Sequence, residues 1–127
     1  MAIRVLVVDD EEDFLRALVM RLEIRGMEAK GVASGDEALA VLAEQCFDVV
    51  VLDIKMPGMD GIDALRAIRQ RHPDIEVLVL TGHASQELSR EGMSLGAFDY
   101  LIKPVKVDTV AERIRAAVGR DRAKRGN

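Results

Sequence analysis

The sequence predicts an α/β domain: a doubly wound parallel sheet of five strands covered by helices on both faces. Three observations lead there. Short Val/Ile/Leu-rich runs alternate with segments of helical period along the whole chain. The apolar runs are continuous rather than alternating, as strands buried on both faces require. Each strand is followed by a helix, the pattern of right-handed βαβ crossovers.

The strands are read as "IRVLVV", "EAKGV", "DVVVL", "EVLVL" and "DYLI". Phe14, Leu15, Leu18, Val19 and Leu22 recur at helical spacing and give the first helix. Ala38, Leu39, Val41 and Leu42 give the second, which "SGDE" starts near Asp36 as a capping box with Ser34 as N-cap and Glu37 three residues on. Ile62, Leu65 and Ile68 form the third stripe, and Val110, Ile114 and Val118 the last. Between them, Ser85 to Leu95 is the most weakly patterned helix, diluted by Ser and Gly.

The chain has 127 residues, 49% of them hydrophobic, with three Phe, one Tyr and no Trp, so its core is aliphatic. That length suits one domain, which buries roughly two thirds of its unfolded surface. The expected division is a domain over 1–119 and a basic tail over 120–127, either a solvated helix end or the start of a linker. Cys46 is the only cysteine, so no internal disulfide forms; it reads as a small buried hydrophobe beside Phe47, in a cytoplasmic protein. "IRVLVV" is too short for a signal peptide and no run approaches membrane-spanning length, so no membrane association is expected. A net charge of −4 argues against direct nucleic-acid binding by this domain.

Polar residues fall where the strands end: Asp9 and Asp10 at the first, Asp53 at the third, Thr81 at the fourth and Lys103 at the fifth. Ligands of open α/β sheets bind at that edge. A single acid there is usually a cap or a solvated loop residue; the coincidence of all five is the signal. A divalent cation brings three carboxylates and one ammonium to neutrality, and hard oxygen donors without Cys or His suit Mg²⁺. The remaining acids of "DDEED", Glu11, Glu12 and Asp13, read as helix-dipole partners outside the site. An ionised Asp beside Mg²⁺, a Lys and a hydroxyl is equipped for phosphoryl transfer to carboxylate. In "MPGMDG", Pro57 fixes φ, and Gly58 and Gly61 are expected to permit positive φ as the chain leaves the strand.

"VLVVDDEE", "VVVLDIKMPGMDG", "VLVLTGHAS" and "FDYLIKP" together resemble the receiver domains of two-component response regulators, over essentially the whole chain. The resemblance implies the flavodoxin-like strand order 2-1-3-4-5, the order found in chemotaxis members of this family. It implies Asp53 as phosphoacceptor and Asp9, Asp10, Asp53 and the backbone carbonyl of Lys55 as the Mg²⁺ site, with Asp10 a direct ligand. It implies Thr81 and Lys103 as phosphoryl contacts, a cis peptide before Pro104, and a switch made of Thr81 and Tyr100. Lys55 and His83 flank the phosphoryl opening by the same resemblance, and Gly82, where the family often has Ala or Ser, leaves that opening wider; His72 reads as a solvated loop residue. The implied partners are a sensor histidine kinase or histidine phosphotransfer protein, and an effector domain or second copy meeting the face from the fourth to the fifth helix.

Two other readings compete. A Mg²⁺-dependent aspartyl-nucleophile phosphatase needs a second acid two residues after the nucleophile, where this chain has Lys55. A flavin-binding carrier needs a phosphate cradle after the first strand, where "DDEED" repels phosphate.

Overall fold

A computed structural model describes residues 2–55, 61–82 and 85–125, the last five without their side chains. Strands and helices alternate as β1 (Arg4–Val8), α1 (Glu12–Ile24), β2 (Glu28–Val32), α2 (Gly35–Glu44), β3 (Val49–Leu52), α3 (Gly61–Arg71), β4 (Glu76–Thr81), α4 (Gln86–Ser94), β5 (Asp99–Ile102) and α5 (Val107–Arg125). The sheet is parallel throughout, in the order β2-β1-β3-β4-β5. Residues 56–60, 83 and 84, and with them Pro57, Gly58 and His83, lie outside the described residues.

Side-chain alternation along the strands divides the core in two. Leu6, Val8, Val50, Leu52, Val77 and Val79 face Ala38, Leu42, Ile62, Leu65 and Ile68 of α2 and α3. Val5, Val7, Val49, Val51, Leu78 and Leu80 face Leu18, Leu22, Val110, Ile114 and Val118 of α1 and α5. Each expected helical stripe is thus the buried face of its helix, and the central strands carry apolar residues on both faces.

Ser34 caps α2 as expected, accepting from the Glu37 amide at 3.2 Å, but the Glu37 carboxylate reaches back to the Ala33 amide instead of that of the cap. Ser85 caps α4 in the same way, accepting from the Leu88 amide at 3.2 Å. Of the described residues of α4 only Gly92 is fully buried, which fits its weak apolar pattern. Helix α5 continues through Gly119 to Arg125.

Three expectations are corrected. Cys46 is exposed. Its backbone carbonyl accepts from the Arg4 guanidinium in an exposed bond, and the neighbouring Phe47 takes the buried position, its ring centre 4.9 Å from the same guanidinium. His72 is half-buried, packed in a cleft with Arg4, Phe47 and Ile75. Gly61 does not have positive φ; among the described glycines that conformation belongs to Gly26 and Gly96. Its requirement is steric, because a Cβ on Gly61 would fall onto the backbone of Ile54.

Candidate functional site

Backbone bonds carry the sheet past its formal strand ends and aim the polar residues. The Asp9 amide donates to the Val32 carbonyl at 3.1 Å, that of Asp53 to Val8 at 3.0 Å, and that of Lys103 to Thr81 at 2.7 Å. These bonds join the ends of all five strands along one edge, four of which carry the polar residues. The Lys103–Pro104 peptide is cis.

Asp9 and Asp53 are each held by a second bond. One oxygen of Asp9 accepts from the Glu11 amide at 2.8 Å, and one of Asp53 from the Lys55 amide at 2.9 Å, short turns of the kind Asp favours. Their other oxygens, both Oδ2, face Lys103 Nζ at 2.7 Å and 3.6 Å respectively. Asp9, Asp53 and Thr81 are buried, whereas Asp10, Lys55 and Gly82 are exposed. One carboxylate oxygen from each of Asp9, Asp10 and Asp53 lies within 4.8 Å of the others, a span one cation can bridge. The donor set is all oxygen, which fits Mg²⁺. A Cβ on Gly82 would meet no atom within 4 Å, so the rim there is open.

Glu11 was assigned above to the helix dipole alone, and the structure corrects that. Glu11 is the N-cap residue of α1, but its side chain makes no cap bond. Its Oε1 instead accepts from Lys103 Nζ at 2.9 Å. Phe14 also reaches the site, with Nζ 4.1 Å from its ring centre. An acid just before a helix reads as a dipole partner, and no local pattern reveals a lysine 92 positions away.

The electrostatics follow from this packing. Burial raises the Asp9 pKa, and the bonds from Lys103 and from the Glu11 amide offset this only in part. Burial would lower that of Lys103, but bonds to Asp9 and Glu11 and the charges of Asp9 and Asp53 outweigh it, so Lys103 is held above its ordinary value as an ammonium. Tyr100 on β5 is raised by burial and then by the charge of Asp53. Because the chain has one Tyr and no Trp, phenolate absorbance reports Tyr100 alone. Its midpoint should lie above 10.0 and move down in Asp53→Asn. An unchanged midpoint would mean that Tyr100 does not sense the site.

Residues 5–115 match the family described as the response regulator receiver domain. The chain belongs to that family. The receiver domain is 38% identical to the DNA-binding transcriptional regulator NtrC of Salmonella typhimurium over 112 residues, covering 88% of this chain and 24% of NtrC. It is 38% identical to the transcriptional regulatory protein PrrA of Mycobacterium bovis, covering 92% of this chain and 50% of PrrA. Among solved structures, a CheY-like response regulator receiver domain protein from Methanospirillum hungatei superposes with a TM-score of 0.94 at 30% identity, covering 98% of this chain and 99% of that one. The chain spans about a quarter of the length of NtrC, FleR and DctD, with 24%, 25% and 25% covered. No helix among the described residues is long and apolar enough to cross a membrane.

Proposed function

We propose that this receiver domain accepts a phosphoryl group on Asp53 from a phosphohistidine of a sensor kinase or phosphotransfer protein, with Mg²⁺ held by Asp9, Asp10, Asp53 and the Lys55 carbonyl. The observation that carries the proposal is the convergence of those three carboxylates within 4.8 Å, beside Lys103. An Asp53 oxygen attacks phosphorus, the P–N bond breaks, and the imidazole nitrogen leaves with the bonding pair and takes up a proton. Mg²⁺ supplies charge neutralisation at the transferring oxygens. Lys103 contributes a point charge on the same oxygens, and the Thr81 hydroxyl a hydrogen bond that exists only once the phosphoryl is in place. Hydrolysis of the acyl phosphate by the same site resets the domain, so the chemistry is self-directed and the product is an altered surface.

That surface is the face formed by α4, β5 and α5. Lys103 is bonded through its amide to Thr81, so a pull on either residue acts on β5. Tyr100 and Ile102 of β5 line a groove of about 580 Å³ together with Ser85, Gln86, Ser89 and Arg90 of the α4 side. We assign this face to an effector domain or a second copy, and Thr81 with Tyr100 to the switch that alters it. The setting is the cytoplasm, and the basic residues 120–127 are a tail or the start of a linker, of which 120–125 continue α5. The phosphatase reading lacks its second acid, since Lys55 occupies that position with its side chain exposed.

Incubation with a small-molecule phosphodonor and Mg²⁺ tests the assignment. Intact-mass and peptide spectra should show one added phosphate on Asp53, and none in Asp53→Asn. Sustained labelling of the Asn variant would overturn it.

A further inference from the structure

Lys103 Nζ has three N–H donors, and their use is uneven. Asp9 Oδ2 accepts at 2.7 Å and Glu11 Oε1 at 2.9 Å, while Asp53 Oδ2, at 3.6 Å, lies beyond hydrogen-bond length. The Phe14 ring covers another side of the ammonium. The lysine is therefore drawn toward the turn after β1, away from the phosphoacceptor. A phosphoryl group on Asp53 needs Lys103 as a donor, and drawing the ammonium toward it strains the two bonds that hold it at the turn after β1.

The two partners differ in what yielding means. The Asp9 side chain is 2% exposed and its second oxygen is already bonded by the Glu11 amide, so water does not replace Lys103 there, and Asp9 releases it only as far as the proposed Mg²⁺ takes up the carboxylate. The Glu11 side chain is 64% exposed, so water takes over when Lys103 leaves. Nor is the Glu11 carboxylate engaged in capping α1, whose first turn has Glu12 and Asp13 for the dipole, with Glu12 paired to Arg16.

Building on the phosphoacceptor reading above, we propose that Glu11 is a positioning residue: it holds Lys103 back from Asp53 in the unphosphorylated receiver and competes with the phosphoryl group for it. The charge at position 11 then sets how firmly the phosphorylated state is held. Glu11 touches neither the phosphoryl group nor the reacting atoms, and acts only through Lys103.

The test uses beryllofluoride as the phosphoryl mimic, at Mg²⁺ saturating for each variant so that a change in metal affinity does not enter. Glu11→Gln should bind beryllofluoride roughly two- to five-fold more tightly than the parent, the range expected for releasing one exposed ion pair. Glu11→Asp, one methylene too short to reach Nζ, should follow the Gln variant. The Lys103 ε-carbon resonance supplies a readout that a merely structural role would not move. Before the mimic is added it should differ between the parent and Glu11→Gln; with the mimic bound the two should coincide. Equal or weaker beryllofluoride binding by Glu11→Gln, or an unchanged Lys103 resonance in the mimic-free proteins, would overturn the role of Glu11. Failure of the parent itself to bind beryllofluoride would instead overturn the phosphoacceptor reading on which the proposal rests.

Discussion

Gly61→Ala should destabilise the domain by about 3 kcal/mol, at the upper end of what overpacking usually costs. Gly61 is the first residue of α3 and is buried, and the atoms that a Cβ would strike are the Cα, carbonyl carbon and oxygen of Ile54. Backbone has no rotamer with which to step aside, so either the start of α3 or the turn at Ile54 must move. Ile54 lies between Asp53 and Lys55, whose bond of 2.9 Å orients the Asp53 carboxylate, so the damage should extend to the site. Urea unfolding and Mg²⁺ titration would check both parts. A loss below about 1 kcal/mol with unchanged Mg²⁺ affinity would show that the turn absorbs a methyl group freely.

Lys103→Met should have an effect of similar size and a distinctive dependence on metal. In chelator it leaves the carboxylates of Asp9 and Asp53, 2% and 5% exposed, without their shared cation. Breaking a buried pair from one side destabilises by about 3–5 kcal/mol. The same substitution removes a positive charge from within a few ångströms of the metal-binding oxygens, so Mg²⁺ should bind at least ~10-fold more tightly. Because the ion binds only the folded chain, Mg²⁺ should then restore much of the lost stability. Unfolding curves in chelator and in Mg²⁺ give the measurement; equal losses in both would mean that the acids are not metal ligands.

Where the chain is organised by local pattern, it can be read directly. The Val and Leu runs give the strands to within a residue, and of the two early starts, at Ile3 and Asp48, the second has a visible cause: its carboxylate accepts from the Arg4 amide at 2.9 Å. The polar residues at strand ends are equally readable, because a carboxylate directly after an apolar run such as VVVL has no packing reason to be there. What escaped has non-local causes. Glu11 is claimed by a lysine from the far end of the chain. Cys46 is exposed, and its carbonyl accepts from an arginine 42 positions earlier, while Phe47 fills the core. Glu76 opens a strand and would be taken for a solvated acid, yet it is 3% exposed, with Arg69 at 3.9 Å and Arg120 at 3.6 Å. Arg120 also lies 5.6 Å from the centre of the Phe98 ring, so the basic segment beyond Val118 has an attachment that its own composition does not display.

The bond between Lys103 and Asp9 spans 94 positions, and its two ends appear at very different moments in the life of the chain. Translation delivers Asp9, Asp10 and Asp53 early, while the ammonium that must stand among them is still unmade. Closing so long a loop is among the slower steps of folding. The assembled cluster of buried acids and one ammonium is thus confined to chains that have been finished through the last strand and have docked it.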